Sequence, residues 1–275
     1  MPPSIAAPGP RRIVCLTEET TEWLYLLGEE RRIVGISGYT VRPPRARREK
    51  PRVSAFLSAR QEKILELAPD LVLGFSDLQA DIARDLAKAG LNVVLFNQRS
   101  VQDILSMILV LASMVGAGDK GVRLIARLEA HLQEIQAAAR GFPYRPRVYF
   151  EEWDEPMISG IRWVSELVEI AGGEDIFPEL ARAPAASGRI VADPAEVVRR
   201  QPQVILGSWC GKKFRPDRVA ARPGWAAVPA VAGQQLFEIR SADILQPGPA
   251  ALTDGVRRIH EILRDFVSRE PRTRS

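Results

Sequence analysis

The sequence predicts an α/β fold of two lobes, each built on a parallel-rich sheet, joined by one long helix. Short apolar runs typical of buried strands alternate with amphipathic stretches of about ten or more residues. This alternation is typical of a parallel sheet with helices on its faces. One amphipathic stretch in mid-chain is much longer than the others, and the alternation resumes after it. We therefore expect two Rossmann-like lobes on either side of that helix.

The first lobe is predicted over residues 1–117. Its strands are "RRIVCL", "RIVGIS", "DLVLGF" and "NVVLFN". The helices are "TEETTEWLYLLG", "ARQEKILELAPD", "LQADIARDLAKAG" and "SVQDILSMILVLASMVG". Gly28, Gly90 and Gly116 follow three of these helices, as expected for residues that end a helix, and Ser100 is a candidate N-cap for the last one.

The connecting helix is predicted over residues 118–141. It would span roughly 30 Å at 1.5 Å per residue, which suits a rod between two lobes better than a crossover within one sheet. Its apolar residues recur at helical spacing: Val122, Ile125, Leu128, Leu132 and Ile135.

The second lobe is predicted over residues 142–275. "PRVYFEE" is typical of a strand and "VSELVEIAGG" of a helix. "DPAEVVRRQPQVILGSW" predicts a helix followed by a strand, and "QQLFEIR" predicts a short strand. The last helix is predicted in "GPAALTDGVRRIHEILRDFV".

Composition excludes some classes of function. The net charge of +4 is a mild excess, and the basic residues are mostly interspersed with acids, so no nucleic-acid partner is indicated. The local run Arg42–Arg52, with six basic residues and one acid, is either a solvated loop or an anion-attracting rim. No apolar run approaches the roughly 20 residues of a membrane helix. The N-terminus has no signal-peptide pattern, so we expect a cytoplasmic protein, or a periplasmic one if a leader was removed.

Known catalytic signatures are absent from the sequence. It has no G-x-S-x-G, Walker loop, C-x-x-C or H-E-x-x-H pattern. His131 and His260 fall within predicted helices, where surface or packing roles are favoured over catalysis. The two cysteines, Cys15 and Cys210, define neither a disulfide framework nor a zinc site.

Polar and aromatic residues follow the predicted strands of both lobes. Ligands of open parallel sheets bind beyond the carboxyl ends of the strands, so we expect two such edges to face each other across a ligand cleft. In the first lobe the residues at this edge include Glu18, Tyr39, Asp77 and Gln98. In the second lobe they include Glu151, Glu152, Trp153, Trp209, Cys210, Lys212, Asp243 and Gln246.

The stretch "YFEEWDEPMISGIRW" interleaves carboxylates with tryptophans at a strand end. Successive residues of a strand point to opposite faces, so only one of Glu151 and Glu152 should face a ligand. Candidate metal ligands are Glu151, Glu152 and Cys210. Neighbouring lysines would favour the Cys210 thiolate and hence a reactive or metal-binding thiol. The alternative, which we favour, is a small buried residue in a tight turn.

Several segments together resemble a known family. They are "RIVCLTEETTEWLYLLG", "RIVGISGYTVRPP", "QEKILELAPDLVLGF", "ISGIRWVSELVEIAGGEDIF", "AEVVRRQPQVILGSW" and "LQPGPAALTDGVRRI". In order and spacing they resemble the class III substrate-binding proteins of ABC importers for cobalamin and ferric siderophores. The resemblance runs from about Arg12 to Val267.

This resemblance implies a non-enzymatic protein that holds a cobalamin-like or siderophore-type metal chelate between two lobes. It also implies that the connecting helix is rigid and that hinge closure is small. Aromatic residues of the family pack on the ligand, and the candidates by position are Tyr39, Phe56, Trp153, Trp163 and Trp209. Polar candidates for the ligand's edges are Glu18, Asp77, Gln98, Glu152, Lys212, Asp243 and Gln246.

Members of the family dock on an ABC permease through one glutamate per lobe. Glu62 falls at the first position, whereas Ala195 falls at the second and Glu196 lies one residue along. Together with the absence of a signal-peptide pattern, this departure suggests a cytoplasmic relative that does not feed an importer. One alternative is a cytoplasmic metal-processing or chelatase-like enzyme that uses cleft carboxylates and Cys210. Another is a periplasmic importer component whose leader was trimmed.

Overall fold

The computed structural model describes residues 9–269, which divide into two compact units. The N-terminal unit contains the residues up to Gln98 and the segment Gln102–Arg127. The C-terminal unit contains Arg99–Val101 and the residues from Leu128 onward. Residues 1–8, on which the expectation about a leader depends, lie outside the described part. The lobe boundaries at 117/118 and 141/142 stay predictions.

The N-terminal unit is built on a six-stranded sheet with the order β4-β3-β2-β1-β5-β6. Every neighbouring pair is parallel except β3 and β4, which form an antiparallel hairpin. The central strand β1 is completely buried because all three of its side chains are apolar or weakly polar. The strands are β1 Ile13–Cys15, β2 Ile33–Ser37, β3 Arg52–Ala55, β4 Ser58–Ala59, β5 Leu71–Phe75 and β6 Val93–Phe96.

Helices connect these strands and cover the sheet. One apolar cluster joins sheet and helices through Val14, Ile64, Val72 and Leu86. The helices are α1 Glu18–Leu26, α2 Ala46–Glu49, α3 Gln61–Glu66, α4 Ala80–Lys88 and α5 Val101–Met114. Short 3-10 turns lie at Glu30–Arg32 and Asp77–Gln79.

Helix α6, Gly118–Ala139, is the long helix that the sequence predicts. Its residues up to Arg127 belong to the N-terminal unit and those from Leu128 to the C-terminal unit. Leu124, Leu128 and Leu132 are buried, whereas Val122, which was placed on the same apolar stripe, is 57% exposed.

The C-terminal unit is built on a five-stranded sheet with the order β11-β10-β7-β8, and β9 also pairs with β7. The pairs β7–β10, β10–β11 and β7–β9 are parallel, and β7–β8 is an antiparallel hairpin. The sequence predicted neither β8 nor β9. The strands are β7 Arg147–Asp154, β8 Met157–Ser159, β9 Glu174–Asp175, β10 Val204–Gly207 and β11 Leu236–Glu238.

Mostly short helices surround this second sheet. They are α7 Arg162–Ile170, α8 Pro178–Ala181, α9 Ala195–Arg200, α10 Pro216–Ala220, α11 Pro229–Ala232, α12 Ser241–Ile244 and α13 Val256–Arg269. Turns of 3-10 helix lie at Ala186–Arg189 and Trp225–Ala227. The predicted last helix begins with a π-helical turn, Ala251–Gly255, where a side chain at Gly255 would meet the Asp243 carbonyl.

The α/β class with parallel-rich sheets is thus confirmed. None of the helices between residues 9 and 269 combines the length and apolarity that crossing a bilayer requires.

Candidate ligand-binding site

Three large apolar side chains are exposed at the carboxyl edge of the N-terminal sheet. Tyr39 follows β2 and is 57% exposed, Leu57 follows β3 and is 70% exposed, and Leu78 follows β5 and is 61% exposed. Moving apolar surface out of water lowers the free energy. Exposed apolar side chains at the ligand end of a parallel sheet therefore indicate a contact surface. We call Tyr39, Leu57 and Leu78 the apolar rim.

Hydrogen bonds tie the loops of the apolar rim to one another. The Gly38 amide donates to the Ser54 carbonyl over 2.7 Å, which joins the loop after β2 to β3. The buried Gln79 side chain donates to the Phe56 carbonyl over 2.9 Å and accepts from the Phe75 amide over 3.0 Å. The rim residues are the direct chain neighbours of Gly38, Phe56 and Gln79, so the bonds hold them on one preformed edge.

Ser76 supports the loop that presents Leu78. Its φ of 70° lies in the left-handed region, and its hydroxyl accepts a hydrogen bond from the Leu78 amide over 3.1 Å. The backbone strain of a non-glycine residue at positive φ persists only where the surrounding contacts enforce it, and such residues cluster at ligand sites. This loop is therefore fixed by its contacts.

Two carboxyl groups follow the central strand β1 at the same edge. Burial, with the neighbouring Glu19 and Glu22 carboxylates, raises the pKa of Glu18 to about 8. Burial also raises the pKa of Glu19 to about 7, although a hydrogen bond from the Thr17 hydroxyl opposes this shift. Both groups hold protons over part of the neutral range, so they can donate as well as accept hydrogen bonds.

The other predicted residues of this edge differ in exposure. Phe56 is half-buried, and its neighbour Leu57 takes the exposed tip of the β3–β4 hairpin. Asp77 is exposed, whereas Gln98 is only 4% exposed. Leu57 and Leu78 were not among the residues that the sequence predicted for this edge. The available signal was an apolar residue within a turn.

In the C-terminal unit the carboxylates at the end of β7 are engaged by arginines. Glu151 is completely buried, where both of its oxygens accept from the Arg222 guanidinium and one also accepts from the Trp209 indole over 3.0 Å. Glu152 pairs with the buried Arg189 over 2.6 and 3.0 Å. The two side chains therefore have separate cationic partners.

The candidate metal ligands do not come together. Within residues 9–269 there is no group of three or more His, Cys, Asp or Glu side chains arranged to hold a metal ion. Glu151 and Glu152 are paired with arginines instead. The favoured reading of Cys210 as a buried residue is wrong, because Cys210 is exposed. Trp209 fills the core position of that turn, and Gly211 with φ of 77° reverses the chain just after Cys210.

Two of the predicted platform residues are core residues in this structure. Trp163 is 3% exposed and its indole donates to the Ile244 carbonyl over 2.9 Å. Trp209 is 1% exposed and packs edge-to-face on Phe214, with ring centroids 5.1 Å apart. Gly207, at the end of β10, makes room for this packing, since a methyl group there would lie 1.9 Å from the Phe214 ring. Neither indole offers an open face to solvent.

Trp153 is half-buried at the end of β7, and its indole donates to the Glu155 carbonyl over 2.8 Å. The Lys212 ammonium lies 4.0 Å from the centroid of its ring and forms an ion pair with Asp154. Asp243 and Gln246 are half-buried, and the Asp243 carboxylate lies 3.4 Å from the Arg240 guanidinium. This edge is thus charged and largely self-paired.

Comparison with known proteins decides the family. A family model described as periplasmic binding protein matches residues 13–242. The chain belongs to the periplasmic binding protein family. The resemblance predicted from the sequence segments is therefore confirmed.

Relatives of this periplasmic binding protein cover nearly the whole chain. The vitamin B12-binding protein of Vibrio vulnificus (strain YJ016) is 24% identical over 97% of this chain and 94% of its own length. YvrC of Bacillus subtilis (strain 168), an uncharacterized ABC transporter substrate-binding lipoprotein, is 23% identical over 92% of this chain and 79% of its own. The structure of the periplasmic heme-binding protein RhuT from Roseiflexus sp. RS-1, without ligand, superposes with a TM-score of 0.73. It is 25% identical and covers 93% of this chain and 100% of its own.

The two predicted docking positions differ in their surroundings. Glu62 is exposed in the first turn of α3. Ala195 is exposed at the first residue of α9, and Glu196 beside it is paired with Arg199 and Arg200.

Proposed function

We propose that this periplasmic binding protein binds, without chemical conversion, a large flat metal-containing ligand of the cobalamin, haem or ferric-chelate type. The names of the relatives support this ligand class, because they include vitamin B12-binding and heme-binding proteins. The apolar rim is the observation that carries the proposal. A broad apolar ligand face would cover Tyr39, Leu57 and Leu78 together, and burying one such side chain contributes roughly 1.5–3 kcal/mol.

The preformed loops support simple binding. Tyr39, Leu57 and Leu78 are presented by loops that hydrogen bonds already order, so a ligand loses little affinity to ordering the protein. Glu18, which is only partly buried, would contribute a polar contact at the ligand's edge as a group that both donates and accepts. A chelatase-like activity has no comparable support, because the carboxylates proposed for it are held by Arg222 and Arg189.

We also propose an ABC permease as the partner. A relative described as an ABC transporter substrate-binding lipoprotein supports this choice. Glu62 is exposed and is the candidate contact in the N-terminal unit. In the C-terminal unit Glu196 would first have to leave Arg199 and Arg200.

Titration tests the proposed ligand class. Purified protein is titrated with cyanocobalamin, ferric protoporphyrin and a ferric hydroxamate siderophore, and binding is followed by visible absorption and calorimetry. We expect saturable one-to-one binding of at least one of the three. No saturable binding of any of them would overturn the proposal.

Matched leucine variants test the apolar rim. Leu57→Ala should weaken binding of that ligand by about 1–2 kcal/mol, which is roughly five- to thirty-fold in Kd, because the exposed leucine loses its contact area. Leu26→Ala is the control, since Leu26 is 49% exposed at the last residue of α1, about 13 Å along that helix from the edge. Equal Kd values for the two variants would argue against the rim as the ligand surface.

A further inference from the structure

Lys212 covers the ring of Trp153. Its ammonium lies 4.0 Å from the Trp153 centroid and 5.0 Å from that of Trp209, and it is ion-paired with Asp154. An ammonium over an indole face is attracted by the ring's π electrons. A ligand that stacks on this face of Trp153 must therefore first displace Lys212.

The loop around Lys212 allows this displacement. Trp209 and Phe214 are buried anchors on either side, and the Ser241 hydroxyl donates to the Trp209 carbonyl over 3.1 Å. Between the anchors the chain turns at Gly211, and the Lys212 side chain is 38% exposed. The ammonium can swing into solvent by rotation of its own flexible side chain, without movement of either anchor.

Asp154 keeps a cationic neighbour when Lys212 leaves. The Asp154 side chain is only 8% exposed, so an unpaired carboxylate there would be costly. The Arg218 guanidinium lies 4.0 Å from the other carboxylate oxygen, and its side chain is 62% exposed and able to approach. In the uncovered arrangement Asp154 thus exchanges Lys212 for Arg218, and the cost that remains is the lost contact between the ammonium and the indole ring.

We propose that Lys212 determines ligand specificity by covering Trp153 until an acidic group on the ligand draws the ammonium away. This inference rests on the proposed function. The favoured ligand is a planar metal chelate with carboxylates at its rim. Its acid pairs with the released ammonium while its ring takes the indole face. A ring of the same size without acids must displace Lys212 and receives no ion pair in return.

Two ring ligands that differ only in acidity test this inference. Ferric protoporphyrin and its dimethyl ester are titrated into wild type, Lys212→Ala and Lys212→Met, and visible absorption gives each Kd. We expect wild type to favour the diacid by about tenfold or more, and both variants to lose most of this preference. In Lys212→Ala the ester should also bind more tightly than in wild type, because the indole face is open. Lys213 is the next residue and is also exposed, so Lys213→Ala is the control and should keep the wild-type ratio of diacid to ester affinity.

The outcomes separate this inference from the proposed function. If neither porphyrin, nor cyanocobalamin, nor the siderophore binds wild type, the proposed function is wrong. If porphyrins bind with the same diacid-to-ester ratio in wild type and Lys212→Ala, the function stands and the role of Lys212 is wrong. If both Lys212 variants bind the diacid and the ester more weakly by the same factor, the proposed role of Lys212 is also wrong, because Lys212 would then support the fold.

Discussion

At the residue scale, arginine and lysine partners decide what the acidic stretch after Phe150 does. Glu151, Glu152 and Asp154 lie at the end of a strand, as the sequence predicts. Their cationic partners were not predicted, because Arg189, Arg222 and Lys212 lie 37, 71 and 58 residues further along the chain. No local pattern encodes such pairs. They depend on how separate loops meet at one sheet edge.

The buried pair between Glu151 and Arg222 gives a prediction on stability. Glu151→Leu should lower the free energy of unfolding by about 3–5 kcal/mol, because Arg222, with a side chain only 17% exposed, keeps its charge without its partner. Urea unfolding followed by tryptophan fluorescence measures the change.

A double variant separates the pair from simple packing effects. Glu151→Leu combined with Arg222→Met should recover most of the loss, since no buried charge then remains. Asp217→Ala, which breaks the exposed pair with Arg215, should leave the unfolding midpoint unchanged. A double variant no more stable than the single one would show that the pair's charges are not the cause.

At the element scale, periodicity predicted the longer strands and helices but not the short hairpins. Strands β4 and β8 are only two and three residues long and lie in tight hairpins. Strands β1 and β11 are also only three residues long, but the residues beside them extend the strand pattern to "RRIVCL" and "QQLFEIR". The hairpin β3–β4 places Leu57 on the apolar rim, so missing the hairpin meant missing a candidate ligand contact. Strand-end position also could not show that Trp163 and Trp209 are buried.

The contact between α5 and α6 gives a prediction with a matched control on one helix. A methyl group at Gly121 would lie 2.5 Å from the Ala112 Cβ, so Gly121→Ala should destabilise the protein by about 1–3 kcal/mol through overpacking. Thermal unfolding measures this change.

Gly118 is the control because it lies on the same helix and a methyl group there meets nothing within 4 Å. Gly118→Ala should be neutral or slightly stabilising, since Ala has the higher helix propensity. Equal effects of the two substitutions would rule out close packing at Gly121 as the cause.

At the scale of the whole molecule, the sequence predicted the fold class and the family, because both depend on the order of many segments. The sequence also predicted that the carboxyl edges of the sheets bind the ligand, and this prediction stays a proposal. The composition gives a net charge of +4, but it does not indicate whether the protein becomes more or less stable as the pH changes. That response depends on where individual carboxyls are buried.

The raised pKa values of Glu18 and Glu19 predict that the free energy of unfolding falls as the pH rises. Their pKa values of about 8 and about 7 lie above the ordinary value of 4.5, so the folded protein binds more protons than the unfolded chain between these limits. The free energy of unfolding should therefore fall as the pH rises from about 4.5 to about 8.

Glu18→Gln tests this pH dependence, because glutamine has no carboxyl group to lose a proton as the pH rises. Its unfolding midpoint should exceed that of wild type at about pH 8, and the difference should shrink toward about pH 5. Glu62→Gln, in an exposed glutamate of the same unit, is the control. A midpoint difference that does not vary with pH would contradict the assignment to Glu18.

The path of the chain between the two units limits how the protein can be dissected. The boundary is crossed between residues 98 and 99, between 101 and 102, and between 127 and 128 within α6. No single truncation point therefore yields either unit intact. A fragment that ends at Arg127 would end in mid-helix, separating the buried Leu124 from the buried Leu128 one turn later. In a chimaera that exchanges one unit, the whole of α6 must come from one parent protein. The residues of the other parent's unit that contact α6 must then be redesigned.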